Sequence, residues 1–387
     1  MSGEPLALYV HWPFCVSKCP YCDFNSHVRA SIDQETWRRS LLIDLAHEAQ
    51  LLPGRHLTSI FFGGGTPSLM EPATVEAIVA AAKEHWTPAA DLEITLEANP
   101  NSVEASRFAD LAAAGVNRLS LGLQSLDDRA LEFLGRAHSV TEGLQALETA
   151  QTQFERVSFD LIYGLPGECA RDWEATLARA LSFGTSHLSL YQLTIEPGTR
   201  FATMVAKREF EPLDPDTAAA LYELTDAMTS AAGLPLYEIS NYARPGFESR
   251  HNLTYWRYRD YAGVGPGAHG RRLGMASVRH KKPENYLSAI ARNGHAIAEE
   301  GALSASEAAD EALVMGLRLR EGVDADAIAR RLALPAIVDW DQVDALVRSG
   351  HLERDGAHLS LTPQGRLLLD HILGVIAAPQ PRALAVG

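Results

Sequence analysis

The sequence predicts an α/β fold, a parallel sheet wrapped by helices, followed by a smaller α+β unit near the carboxyl end. Three observations carry this expectation. Over roughly the first 200 residues, short β-branched or aromatic runs alternate with longer amphipathic stretches, as repeated βα units do. Polar and glycine-rich signals fall just after those runs, where parallel α/β folds place their ligands. Beyond Ser304 the pattern becomes three helical stretches, two short strands, His351–Arg354 and His358–Leu361, around Asp355-Gly356, and a last helix from near Pro363.

Six strands are expected, at Leu6–His11, Ser59–Phe62, Leu92–Glu97, Arg118–Leu123, Val157–Ile162 and His187–Leu193. Between them, Trp37–Leu51, Ala73–His85, Val103–Ala114 and Asp172–Leu181 are long enough to serve as crossover helices. Right-handed connections follow from strand twist. After Pro197 the pattern loosens, and the aromatic, glycine and basic residues of 241–303 read as a connector. The expected division is therefore 1–240, 241–303 and 304–387. The last segment resembles a winged helix, a fold often used on DNA. From Ser304 onward, however, twelve acidic residues face eight basic ones, which favours packing or partner binding.

With 387 residues, 46% of them hydrophobic, the chain can bury a large core and is not of the disordered class. A net charge of −15 opposes nucleic-acid phosphates. The start, Met1-Ser-Gly-Glu-Pro5, has neither the basic residues nor the apolar run of a signal peptide. Ile372–Ala378 is far too short to span a bilayer. A cytoplasmic protein is expected. Within this acidic chain, the segment from Arg244 to Lys282 holds nine cations against Glu248 and Asp260.

The first strand leads into Cys15, Cys19 and Cys22, spaced C-x3-C-x2-C. Thiolates are the usual ligands of iron–sulfur clusters, and three of them on a four-iron cube leave one iron open to a substrate or cofactor. A zinc site completed by His11 or His27 is the alternative. Three clustered cysteines of four favour a metal centre over disulfides, and Cys169 reads as an isolated small thiol. Phe61-Phe-Gly-Gly-Gly-Thr-Pro67 would let backbone approach a ligand closely, or simply form a tight turn. No Gly-Lys-Ser/Thr follows, so it is not a P-loop. Glu97 could accept hydrogen bonds from ribose hydroxyls, or be a surface acid at a strand end. Gln124 and Arg136 alone are compatible with surface or capping roles. Asp160 interrupts an apolar strand and needs a partner if buried.

Together these stretches resemble the radical S-adenosylmethionine (SAM) family that contains oxygen-independent coproporphyrinogen III dehydrogenase and the heme chaperones. The resemblance runs over nearly the whole chain. It rests on Tyr9-Val-His-Trp-Pro-Phe-Cys15 with its following cysteines, Gly-Gly-Gly-Thr-Pro67, Glu97-Ala-Asn-Pro100, Gly122-Leu-Gln124, Asp160-Leu-Ile-Tyr-Gly-Leu-Pro166 and the terminal segment. It implies a partial (β/α)6 radical SAM barrel with a winged-helix-like C-terminal domain. A [4Fe-4S] cluster would sit on Cys15, Cys19 and Cys22, with SAM on the open iron. Tyr9, Tyr21, Gly64, Gly65, Thr66, Glu97, Gln124, Arg136, Asp160 and Gln192 would line the SAM site. In such proteins the cofactors supply the radical chemistry.

The dehydrogenases carry a further cysteine two positions after the third ligand, whereas Phe24 stands there in this chain, and only fourteen residues precede Cys15. Both features match the heme-chaperone branch, as does His251-Asn-Leu-Thr-Tyr-Trp256. On that reading His251 is an axial heme ligand, and Arg271 or Arg272 pairs with a propionate. A structural histidine, and a solvated or lipid-facing basic patch, are the alternatives. The implied function is to bind heme and deliver it to hemoproteins, respiratory ones among them. A homodimer and reversible contact with a membrane surface fit the same reading. The rivals are a radical SAM enzyme acting on a porphyrin and a zinc-stabilised binding module.

Overall fold

The computed structural model describes residues 3–378. Its largest element is one twelve-stranded sheet. Strands β1 (Pro5–Trp12), β2 (His56–Gly64), β3 (Thr87–Ala98), β4 (Arg118–Gln124), β5 (Arg156–Tyr163) and β6 (His187–Gln192) pair in parallel, in chain order. They form the expected partial (β/α)6 barrel. The crossovers include helices Gln34–Leu51, Pro72–His85, Val140–Gln153 and Ala170–Ser182. Their starts are written locally: Asp33 caps the first through the Thr36 N–H, Pro72 occupies the first turn of the second, and Ser139 with Glu142 closes a capping box on the third. The helix expected over Val103–Ala114 is split into Ser102–Ala105 and Phe108–Ala113.

Period-two alternation sorts the side chains. Leu8, Val10, Trp12, Ile60, Phe62, Ile94, Leu96, Leu119, Leu121, Phe159, Leu161, Leu188 and Leu190 belong to one buried core with the helices. The alternate positions carry Tyr9, His11, Phe61, Thr95, Glu97, Ser120, Gly122, Ser158, Asp160 and Ser189, which face the inside of the barrel. The inner face is thus mostly polar, and its groups pair with one another. The Ser158 hydroxyl donates to Ser120 Oγ at 3.0 Å, and the Ser120 hydroxyl donates to Asp160 Oδ1 at 3.2 Å.

The stretch read as a connector is built into the same sheet. After β7 (Leu236–Glu238), β8 (Asn241–Ala243) pairs antiparallel with β6. Strand β9 (Tyr261–Val264) adds a further parallel strand on the free side of β1, and β10 (His269–Arg272), β11 (Met275–Arg279) and β12 (Ile297–Ala302) continue outward antiparallel. The final segment forms its own core, with three helices, Ala305–Gly316, Ala325–Leu332 and Trp340–Arg348, and an antiparallel pair, Leu352–Asp355 and His358–Leu361. A short strand, Val323–Asp324, adds to the other side of 358–361. Among the described residues, no helix is long and apolar enough to cross a membrane.

Buried ion pairs lock the added strands to the barrel. Arg279 is 0% exposed; its Nε donates to Asp44 at 2.8 Å and its Nη2 to Glu48 at 2.7 Å, both on helix Gln34–Leu51. Arg272 donates to Glu48 at 3.0 Å and to Glu300 at 2.6 Å, while the Tyr286 hydroxyl donates to Asp44 at 3.0 Å. Each charge has a partner, which low-dielectric burial demands. Arg279→Met removes one side, leaving Asp44 with no cation and Glu48 with Arg272 alone. It is expected to cost roughly 3–5 kcal/mol, read as a lowered midpoint in denaturant titration; an unchanged midpoint would refute the account.

Candidate cofactor site

The cysteine loop and the glycine turn are joined by backbone. The pairing of β1 with β2 continues past the strand ends: Gly65 N–H donates to the Trp12 carbonyl at 2.7 Å, and Thr66 N–H to the Phe14 carbonyl at 2.8 Å. Side chains cannot be accommodated there. Gly64 has φ +113°, and a Cβ on it would lie 2.6 Å from the His11 ring; a Cβ on Gly65 would lie 2.7 Å from the Phe14 carbonyl oxygen and 3.0 Å from Cys15 Sγ. The glycine run therefore forms a turn pressed closely against the cysteine loop.

One pocket gathers most of the expected residues. Cys15, Cys19, Tyr21, Cys22, Gly64, Gly65, Thr66, Glu97, Gln124, Arg136 and Asp160 all line it. Glu97 accepts the Gly64 N–H at 3.2 Å. Its pKa is pushed up to about 8, first by burial and then by Asp160, with the Gly64 N–H opposing. Asp160 is pushed up to about 6 by burial, moderated by Ser189, Ser120 and Arg136. Gln124 sits at φ +66° beside a register shift between β4 and β5, a local irregularity of the kind that re-aims a side chain.

Donors surround the thiols. The Thr66 hydroxyl is 3.5 Å from Cys15 Sγ and accepts from Asn99 Nδ2 at 3.1 Å. Arg136 Nη1 is 3.5 Å from Cys19 Sγ, while Nη2 donates to Asn99 Oδ1 at 2.6 Å and to the Gly122 carbonyl at 3.0 Å. Ser26 lines the same pocket with a buried hydroxyl, and Arg136 Nε is likewise buried; neither atom has a partner among the described residues. Burial holds Cys15 and Cys22 above the usual thiol range. Three soft thiols ringed by donors with spare capacity, open on one side to a polar pocket, suit a cluster of inorganic sulfide and iron. His11 is committed elsewhere: its Nδ1 takes the Tyr9 hydroxyl at 2.9 Å and its Nε2 faces the Asn25 carbonyl at 2.9 Å.

Asn99, Ser26 and Ser120 were not anticipated as site residues. Asn99 lies directly after the end of β3, and that position is its local signal.

Other expected residues lie elsewhere. Tyr9 lies inside the barrel against Phe61 and His11, and Gln192 donates to the Ala218 carbonyl at 2.7 Å, so neither lines the pocket. His251 is 1% exposed, stacks on Phe61 with centroids 4.8 Å apart, and has both ring nitrogens engaged, Nδ1 by Ser59 at 3.1 Å and Nε2 by the Tyr255 hydroxyl. Burial pushes its pKa down to about 3. Nothing in this arrangement presents His251 to a porphyrin iron. Arg271 lies over Tyr258 at 3.7 Å and 3.7 Å from Glu311, and Arg272 is held in the buried network above, so neither is offered to a propionate. The basic island is largely neutralised by acids from distant segments: Arg250 pairs with Asp91, Arg257 with Glu321, and Arg279 with Asp44 and Glu48.

Two outcomes follow from this geometry. Between pH 4.5 and about 8 the folded cofactor-free protein keeps a proton on Glu97 that the unfolded chain has released, so stability falls as pH rises through that window. Glu97→Gln lacks this term, and its melting temperature is expected to gain on the wild type from pH 5 to 8; parallel pH profiles would count against the assignment. Removing a donor to a cluster thiolate makes reduction harder. Thr66→Val and Ser26→Ala are therefore expected to lower the midpoint potential of the reconstituted cluster, measured by EPR-monitored titration.

Comparison with known proteins agrees with this architecture. The radical SAM superfamily pattern matches residues 9–180, and the HemN C-terminal domain pattern matches residues 303–368. Radical S-adenosyl methionine domain-containing protein 1, mitochondrial, of Bos taurus is 41% identical, over 96% of this chain and 83% of that one. The heme chaperone HemW of Mycobacterium tuberculosis is 37% identical over 96% and 95% of the two chains. That of Escherichia coli is 36% identical over 97% and 98%. In fold, the chain is similar to coproporphyrinogen III oxidase HemN of Escherichia coli, with a TM-score of 0.80 over 96% of this chain and 90% of that one, at 24% identity. With the pocket, the sheet and these relatives in agreement, the chain belongs to the radical SAM superfamily, in the family of the HemW heme chaperones and their mitochondrial counterparts.

Proposed function

We propose that this protein binds heme and passes it to acceptor hemoproteins, respiratory ones among them, on a scaffold that holds a [4Fe-4S] cluster and SAM. The observation that carries the reading is Phe24. Where the resembling dehydrogenases place a further cysteine, this loop turns a phenyl ring outward, 60% exposed. A loop lacking that thiol and carrying an apolar group suits a flat hydrophobic cargo better than porphyrinogen decarboxylation. The names of the relatives at 36 and 37% identity support the same reading. A homodimer and reversible contact with a membrane surface fit it as well.

The roles of the residues follow from their chemistry. Cys15, Cys19 and Cys22 would hold the cluster, with Thr66, Ser26 and Arg136 as donors around it. The backbone at Gly64 and Gly65 and the Arg136 guanidinium would orient the amino and carboxylate groups of SAM. Glu97 and Asp160 would take its ribose hydroxyls. With Glu97 protonated at neutral pH, the pocket carries little net charge, which suits a ligand bearing both signs. When bound and reduced, such a cluster supplies one electron to the SAM sulfonium.

The test uses anaerobically reconstituted full-length protein. Given heme and an apo-hemoprotein, it is expected to transfer heme, read as growth of the acceptor spectrum. Given SAM, reductant and coproporphyrinogen, it is expected to leave the porphyrinogen intact. Deoxyadenosine formation coupled to porphyrinogen loss, without heme transfer, would favour the enzyme instead.

A further inference from the structure

With His251, Arg271 and Arg272 committed to internal partners, a heme cargo needs another seat, and the outer surface of the cysteine loop supplies one. This inference rests on the heme-binding reading above and locates it. Val16, Phe24 and Val28 are 67, 60 and 51% exposed, and with Val103 at 72% they are the four most exposed large hydrophobic residues among those described. Three of the four therefore sit on one short segment beside the pocket, which Val16 and Phe24 also line. Isolated exposed apolar side chains need no explanation, but such a concentration does.

Two histidines border this lip, and Asn25 arranges them. Asn25 Nδ2 donates to the Pro266 and Lys281 carbonyls, each at 2.9 Å, which fixes the amide and leaves Oδ1 facing His27 Nε2 at 3.3 Å. Facing an oxygen that can only accept, Nε2 must carry the proton and Nδ1 keeps its lone pair. A histidine whose second nitrogen donates to an oxygen is oriented as metal-bound imidazoles are. His269 opens β10 just after the 265–267 turn, is exposed, and makes no side-chain hydrogen bond among the described residues. The Asn25 amide also packs on Gly267, where a Cβ would lie 2.6 Å from Nδ2, so the turn that leads into His269 rests on the loop that carries His27. Charge completes the match. Lys18, Lys281 and Lys282 make no ion pair among the described residues, Arg29 pairs with Glu284, and Asp23 is the one acid between Val16 and Val28.

We propose that heme docks on this lip, its macrocycle against Phe24 and Val28, its iron taken by an imidazole of the His27/His269 pair, and its propionates met by Lys281 and Lys282. The apolar segment accounts for the ring, the free imidazole nitrogens for the iron, and the unpaired lysines for the two negative charges.

The reconstituted full-length protein is titrated with ferric heme and, separately, with metal-free protoporphyrin. Phe24→Ser is expected to weaken both by roughly ten- to a hundredfold, the worth of one lost aromatic anchor. His27→Ala/His269→Ala is expected to abolish the low-spin ferric spectrum yet leave metal-free protoporphyrin binding unchanged. Lys281→Glu/Lys282→Glu, outside the cysteine loop, is expected to weaken both ligands by about tenfold or more. Cluster content, followed by iron and sulfide analysis, shows that each variant is folded. Unchanged heme affinity and spectrum in all three variants, or their loss only in His251→Ala, would overturn this location while leaving the heme-binding reading intact. A wild type that takes up no heme would overturn both. Binding to anionic vesicles that disappears in Phe24→Ser and the lysine variant, with heme affinity untouched, would make the lip a membrane contact and also overturn the proposal.

Discussion

The architecture depends on how closely two turns can approach. Strands β1 and β2 end side by side, and their ladder continues for two more hydrogen bonds, into the cysteine loop on one side and the glycine turn on the other. That continuation brings Cys15 Sγ to within a methyl group's width of Gly65, and it aims the Gly64 N–H at Glu97 on the next strand. A side chain at either glycine would push the turns apart, moving the thiols away from the carboxylates. Every later step, from the polar pocket to the donors around the cysteines, assumes this contact.

A second regularity concerns where charge is placed. The inner face of the barrel is polar because alternate positions of each strand are given to it, and its buried acids are met by hydroxyls and amides or kept protonated. The outer additions follow a different rule. Arginines of β10 and β11 reach carboxylates on helix Gln34–Leu51, so part of the charge of a segment that is strongly basic as sequence is taken up in internal pairs. Its function is largely to attach the outer strands. His251 belongs to the same internal economy of contacts: the helix Arg250–Trp256 packs against β2, and the bonds from Arg257 and Tyr258 to Glu321 and Glu311 join it to the final domain.

The parallel sheet was legible because its signals are local and repeated: strands alternate, crossover helices begin with local signals such as the Asp33 and Ser139 caps and Pro72, and polar residues recur at the strand ends. The cysteine loop, the glycine turn, Glu97 and Gln124 stand at or next to strand ends and Asp160 interrupts an apolar strand, whereas Arg136 follows the helix Asp128–Phe133 and has no such signal. What stayed hidden depends on partners far apart in the chain. The extra parallel strand β9 pairs with β1 across more than half the sequence, and no periodicity announces that. The arginines looked free because Glu48, Asp44 and Glu311 lie outside the basic run. His251 looked available because its motif is rich in groups that bind heme, yet Ser59 and Phe61, which bury it, sit on a strand almost two hundred positions earlier.

The cysteine loop is held from four directions by parts of the chain made long after it. Arg136 reaches Cys19, the Phe201 amide binds the Pro20 carbonyl, and Asn25 ties to the backbone at Pro266 and Lys281. During synthesis those anchors do not yet exist when the thiols leave the ribosome. The three thiols therefore take their final arrangement only after the 281st residue has emerged, and any centre they hold would be assembled late in synthesis or after it.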